Sequence, residues 1–261
     1  MSQALRVQNF FVSADGFGAG EGQSLERPFG HADPRELAAW AMATASWPNR
    51  TEPGGSQGLD DYLVRDFHRN IGAEIMGHNK FSPQRGPWQD EEWKGWWGEE
   101  PPFHTPVFVL THHPRPSFTL SDTTFHFVSG DPAEVLSRAR DAAGGQDVRL
   151  GGGAQTIRAF LDADLVDNLH VAVSPVELGS GTRLWHSPSD LDDRFHRDEV
   201  PSPSGVVHHL LWRRWSAPPG GPVRRRRRLS RRRRPLAAPS GSGRRRARSP
   251  RRWRGSRRPS R

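Results

Sequence analysis

Cysteine is absent from the 261 residues. Its absence removes disulfides, thiolate metal sites and cysteine nucleophiles from consideration. Tyrosine occurs once and methionine three times. No run approaches the ~20 apolar residues of a membrane span. The segment after Met1 shows neither a basic stretch nor a long apolar one, so a cytoplasmic protein with no membrane partner is expected. Asn49-Arg50-Thr51 fits a glycosylation acceptor, but with no signal peptide in view it reads as a chance match.

Lysine and acidic residues are both missing from one region. From Ser216 to Arg261 there are 19 arginines, no lysine and no Asp or Glu. Residues 1–215 therefore hold 19 basic and 29 acidic residues, a net of −10, and the overall +9 averages two unlike parts. At about 215 residues the acidic part is long enough for one α/β domain with a real core. The basic part has Val223, Leu229, Leu236 and Trp253 as its only large apolar residues. It cannot offset the entropy of ordering and is expected to be disordered. The division is thus 1–215, a folded domain, and 216–261, an Arg-rich tail. The tail is either a basic segment that binds nucleic acid through phosphate contacts or an out-of-frame reading of GC-rich DNA.

Within 1–215 the pattern alternates strands and helices. Leu5 to Val12 reads as a first strand, ended by Ser13-Ala14-Asp15-Gly16, and a glycine-rich loop follows from Phe17 to Gly30. Pro34 to Thr44 reads as a helix capped by Asp33, and Asp60 to Asn70 as another, with Tyr62, Phe67 and Ile71 near one face. Strands are expected at Ala73–Met76, Pro106–Thr111, Thr124–Val128, Val148–Leu150, Leu169–Val173 and Val206–Trp212. Helices are expected at Asp131–Ala143 and Ala154–Ala163. The tryptophan-rich stretch from Pro83 to Pro102 reads as a long loop. This order predicts a mixed, mostly parallel sheet flanked by helices, with antiparallel strands near the C-terminal end of the domain.

Three segments suggest chemistry. Asp147-Val-Arg-Leu-Gly-Gly-Gly-Ala-Gln-Thr joins a strand to a helix through Gly151, Gly152 and Gly153. Such a turn brings backbone N–H groups and a helix N-terminus up to an anionic group, with Ala154, Gln155 and Thr156 opening the helix. It matches neither the Walker A pattern nor the Rossmann fingerprint. Gly77-His78-Asn79-Lys80 follows a strand and holds one of only two lysines in the acidic part. Thr111-His112-His113-Pro114-Arg115 follows the buried strand, where open α/β sheets bind ligands. The histidines lack the i, i+4 spacing with a nearby Glu of a zinc site, so no metal site is expected.

Together these segments resemble the dihydrofolate-reductase-like family that includes the C-terminal reductase domain of bacterial riboflavin biosynthesis, over about residues 5 to 214. Further matches are Leu165-Val-Asp-Asn-Leu-His170, Val173-Ser-Pro-Val-Glu-Leu-Gly-Ser-Gly181 and Gly205-Val-Val-His-His-Leu210. The resemblance implies an NADPH-dependent reductase acting on a small heterocyclic or carbonyl substrate, like 5-amino-6-(5-phosphoribosylamino)uracil reductase, with a homodimer as the expected assembly. It implies that the segments of Gly77 and Thr111 frame the adenosine end of NADPH, with His78, Lys80 and Arg115 near its 2′-phosphate. The triple glycine would hold the pyrophosphate and nicotinamide side, and Ala14, Asp15 and Gly16 would border the hydride-transfer site. Asp15 is then the candidate proton donor, or simply a turn residue before Gly16. The rival reading is a nucleic-acid-associated protein anchored by its tail.

Overall fold

The computed structural model describes residues 3–48 and 50–214. The expectations for 216–261 lie outside the described residues. Strand β1 (Leu5–Val12) opens the chain, and β2 (Phe17–Ala19) follows within the glycine-rich loop. Three short helices come next: α1 (Pro34–Leu37), α2 (Ala39–Met42) and α3 (Leu59–Arg65). Then come β3 (Ile71–Gly77), the single-turn α4 (His78–Phe81), β4 (Val107–Leu110), β5 (Phe118–Leu120) and β6 (Thr123–Val128). Helix α5 (Pro132–Ala142), β7 (Asp147–Leu150) and α6 (Ala154–Asp162) lead to β8 (Asn168–Val173). The unit closes with β9 (Thr182–Arg183), β10 (Phe195–Pro201) and β11 (Val207–Arg213).

Nine strands form one sheet in the order β10-β11-β8-β1-β7-β3-β4-β6-β5. The six from β8 to β6 run parallel, while β11, β10 and β5 are antiparallel to their neighbours. This is the mixed, mostly parallel sheet that the sequence predicts.

One face of the sheet is apolar throughout and carries α5 and α6. Leu5, Val7, Ile75, Val148 and Leu150 meet Val135, Leu136, Ile157 and Phe160 there, all essentially without solvent exposure. Both helices start as their sequences dictate. The Asp131 carboxylate accepts from Ala133 N and Glu134 N, and Pro132 takes the first helical turn. Among the described residues the other face is covered only at its two ends. At one end Trp40, Ala41 and Val64 of the short helices pack on Ala172 and Val206. At the other, Phe81, Phe103 and the tryptophans of the 83–102 loop pack on Val107, Val109, Phe125 and Phe127.

Several elements differ from expectation, for local reasons. The helix expected over 34–44 breaks at Ala38, because the Ser174 hydroxyl donates to Leu37 O and takes the carbonyl a continuing helix would use. The next helix stops at Arg65 and tightens into a 3-10 turn over 66–68. Its inward residues are Asp61 and Val64, while Tyr62 is 60% exposed. Strand β10 reads Phe-His-Arg-Asp-Glu-Val-Pro, too charged to be expected as a strand but suited to a sheet edge. Among the described residues no helix is long and apolar enough to cross a membrane.

Candidate active site

Between the two covered ends of the open face lies a cleft of 720 Å³. Its floor is the middle of the sheet, where β1, β7 and β3 are adjacent. Those strands turn polar side chains to this face. Arg149 donates to Glu74 Oε2 at 2.5 Å, and the Lys80 ammonium donates to Glu74 Oε1 at 3.2 Å. Glu74 and Arg149 are buried, whereas the Lys80 side chain keeps a quarter of its surface. Burial pushes the pKa values of Lys80 and Arg149 down, and the Glu74 charge pulls them back up. Both cations line the cleft.

The glycine turn forms the adjoining wall. Gly77 N donates to Gly152 O at 2.7 Å, tying the end of β3 to the turn after β7. A Cβ on Gly77 would lie 2.1 Å from Thr156 Oγ1, so only glycine permits this approach. The Gly152–Gly153 peptide is cis. Gly152 has φ +106 and backs onto the Phe10 ring, whereas a Cβ on Gly153 would meet nothing within 4 Å. Gly153 lines the cleft and is the N-cap of α6, where no side chain satisfies the first N–H groups. This open, uncapped helix start suits a bound anionic group.

A hydrogen-bonded chain reaches the cleft from the opposite side. His208 Nε2 meets Asp60 Oδ1 at 2.8 Å, His170 Nε2 meets His208 Nδ1 at 3.0 Å, and His170 Nδ1 meets the Asn9 side chain at 3.0 Å. Burial pushes His170 down to about 3, so it is neutral, and Trp40 packs edge-on against both rings. Asn9 sits at a register shift in β1 with φ +52, a conformation asparagine tolerates, and lines the cleft.

A family model, the RibD C-terminal domain, matches residues 7–197. The chain belongs to that family. Its fold is therefore the dihydrofolate-reductase-like one, carrying a reductase-like domain of the riboflavin-biosynthesis type. A curated relative, the uncharacterised protein YwjB of Bacillus subtilis (strain 168), is 24% identical over 135 residues, covering 50% of this chain and 67% of YwjB. A putative riboflavin biosynthesis protein from Shewanella sp. PV-4 is 20% identical, with 82% of this chain and 100% of that one covered and a TM-score of 0.47. A pyrimidine reductase-like protein from Corynebacterium diphtheriae is 14% identical, with coverages of 82% and 93% and a TM-score of 0.46.

In this RibD C-terminal domain most residues singled out from the sequence converge. His78, Asn79, Lys80, Thr111 and His112 line the cleft, as do Gly151, Gly153, Ala154, Gln155 and Thr156. Ala14, Asp15, Gly16, Gly77, Gly152 and Arg115 are not among the lining residues. The Asp15 carboxylate accepts from Ser13 Oγ, Leu178 N and Gly179 N. Burial raises its pKa, but these hydrogen bonds outweigh burial and hold it below the usual range. Its carboxylate clasps two loops together. Gly16 has φ +87 with Trp185 O where a Cβ would stand, which also marks a turn.

Of the three residues expected around a 2′-phosphate, His78 and Arg115 both pack against Trp88, whereas Lys80 pairs with Glu74. The Arg115 guanidinium lies 4.3 Å from the Trp88 ring and 4.4 Å from that of Phe127, donating to Glu91 O and Trp93 O. His78 stacks on Trp88 and bonds Thr111 Oγ1 at 2.7 Å, and burial lowers its pKa, so it carries no charge at neutral pH. Sequence reading missed Glu74, Arg149, Asn9, His170 and His208 as site residues. The available signal was a charged residue inside each of two short apolar strands, Ala73-Glu74-Ile75 and Val148-Arg149-Leu150.

Proposed function

We propose that this protein is an NADPH-dependent reductase that transfers a hydride to a small heterocyclic or carbonyl substrate in the cleft. The observation that carries the reading is the Gly151–Gly153 turn opening onto an uncapped helix at the 720 Å³ cleft, in a chain of this family. The residues fit a nicotinamide dinucleotide. Space stands open at Gly153 where any other residue would project a side chain, and the start of α6 offers N–H groups to a pyrophosphate. When bound, that cofactor supplies the hydride from its dihydronicotinamide ring. The chain's own part is placement and exclusion of water. Phe10 backs the turn through Gly152, and Phe67, Phe103 and Trp97 form apolar walls around the polar floor. His112 and His113 line the cleft together with His78 and serve as donors for the 2′-phosphate end.

The test is a titration of the full-length protein with NADPH and NADH, followed by quenching of Trp96 and Trp97 at the cleft wall. Saturable binding of NADPH is expected, and Gly153→Val should weaken it by at least about tenfold while far-UV circular dichroism is unchanged. Normal NADPH binding by Gly153→Val would reduce the glycine turn to a connector and end this reading.

A further inference from the structure

The hydrogen-bonded chain that ends at Asn9 has a direction, and its charged end sets it. Burial raises the Asp60 pKa, but hydrogen bonds from Ser202, His208 and Ser204 outweigh burial and hold it below the usual range. Asp60 is therefore ionised and can only accept, so His208 Nε2 donates to its Oδ1. His170 is neutral and carries a single N–H. Its Nδ1 accepts the backbone N–H of Asn9 at 3.3 Å, which puts the proton on Nε2, donating to His208 Nδ1 at 3.0 Å. The reverse order would set a protonated His170 Nδ1 against the Asn9 backbone N–H. Little solvent competes for these bonds: His208 is fully buried, His170 nearly so, and Trp40 covers both rings edge-on. A carboxamide has a donor end and an acceptor end of the same shape, and the partner decides which end faces it. The lone pair of His170 Nδ1 lies 3.0 Å from the Asn9 side chain, so the amide nitrogen turns toward it. The carbonyl oxygen is left on the other side. Asn9 is half-buried and lines the cleft, held in this pose by the irregularity in β1 and its φ of +52.

We propose that Asn9 is a specificity-determining residue whose carbonyl oxygen accepts from a hydrogen-bond donor on the substrate, and that Asp60, His208 and His170 are positioning residues that impose this polarity. The proposal rests on the cleft being the reductase site described above. Asn9 stands at the β1 end of the cleft with Ala41, Trp47 and Val64, and two strands separate β1 from β4, after which His112 and His113 follow. It therefore faces the part of the cleft away from the cofactor's 2′-phosphate end. A ligand that brings an alkyl group or a second acceptor to this oxygen leaves it desolvated and unpaired, and is selected against. The histidines orient the amide; with Asn9 at the end of the chain they pass no proton into the cleft, because a carboxamide does not relay one between its ends.

Nitrogen NMR of the full-length protein, labelled at histidine, should find both His170 and His208 protonated at Nε2 near neutral pH. The probes for Asn9 are phthalimide, whose imide N–H is a donor, and N-methylphthalimide, which has none. Each is titrated by calorimetry with and without NADPH, and phthalimide should bind about fivefold more tightly. Asn9→Gly, which tolerates the positive φ, should remove the preference. Asp60→Asn should shrink it although Asp60 does not line the cleft, because an amide can donate to His208 Nε2 as readily as accept and the chain loses its direction. The histidine tautomers should then be mixed or inverted. A merely structural Asp60 would change stability and leave preference and tautomers alone. Where Asp60→Asn fails to fold, the wild-type tautomers and Asn9→Gly decide. A proton on His170 Nδ1, no preference for phthalimide, or a preference that survives Asn9→Gly would overturn the proposal. So would phthalimide that displaces NADPH one for one, because Asn9 would then serve the cofactor. The expected tautomers and preference in a protein that binds no NADPH would instead sink the reductase reading and leave the role of Asn9 standing.

Discussion

The two faces of the middle strands follow opposite rules. Toward α5 and α6, β1, β7 and β3 present Leu5, Val7, Val148, Leu150, Ala73 and Ile75, the near-continuous apolar pattern of a parallel sheet buried on that side. On the other face the same strands present Arg6, Gln8, Arg149 and Glu74. Each is tied by hydrogen bonds: Arg6 and Gln8 to Asp66, and Arg149 to Glu74. Burial is similar on both sides, with Glu74 at 2% and Arg149 at 5%. Exclusion from water therefore does not decide the chemistry of a face; what covers it does. Helices that bring apolar side chains demand apolar partners. A face left open between two caps can hold charge, and that charge is available to a ligand.

The largest effects should separate the faces by kind. Phe160→Ala empties a fully buried position on the closed face and should cost about 3–5 kcal/mol in chemical denaturation. Probe affinity in the folded fraction should be unchanged. On the open face the ordering is informative. Glu74→Met leaves two uncompensated buried cations and should cost about 3–5 kcal/mol, whereas Arg149→Met leaves the neutral Glu74–Lys80 pair and should cost clearly less. Equal losses would mean that Lys80 is not part of the same electrostatic unit.

A smaller effect lies in pH. His170 in the folded protein is depressed to about 3, and His209 and His68 to about 4, against ordinary values near 6.5. Their neutral forms fit the fold, so this stability is fully present above about pH 6.5 and is lost as pH falls toward the folded values. Denaturation midpoints should begin to drop just below pH 6.5, before carboxylates titrate. His170→Gln should flatten that drop; an unchanged profile would show that the buried histidines do not set it. The smallest expected change is Asp131→Ala, which removes the cap of α5 on the closed face and should cost about 1 kcal/mol.

The closed face was legible in the sequence and the open face largely was not. Asp131-Pro132 and Gly151–Gly153 announce α5 and α6 through capping and turn chemistry, signals that depend on neighbouring residues alone. Val148 and Leu150 announce a buried strand in the same local way. The Glu74–Arg149 pair joins residues 75 positions apart, and Asn9 meets His170 161 positions away. Their meaning comes from strand order, which no local pattern encodes. Lys80 shows the difference within one residue. Its place after a strand marked it as a cation for a ligand, and its bond to Glu74 is equally local, but Arg149 joins it on that carboxylate only because β7 lies beside β3. Asp15 shows the reverse case: its place before a turn glycine is a local signal, but its hydrogen bonds from Leu178 and Gly179 come from a loop far along the chain.

The hydrogen-bonded histidines also impose an order of events during synthesis. Asn9 belongs to β1, and its side chain is steadied by His170, which is steadied in turn by His208 on β11, the last strand of the described unit. Strand β11 also pairs along its length with β8 and carries β10 at its outer edge. A nascent chain that has not yet released residue 208 can build the glycine turn and the ion cluster but lacks one wall of the cleft. The cleft is thus complete only once β11 has joined β8, and that strand acts as the latch.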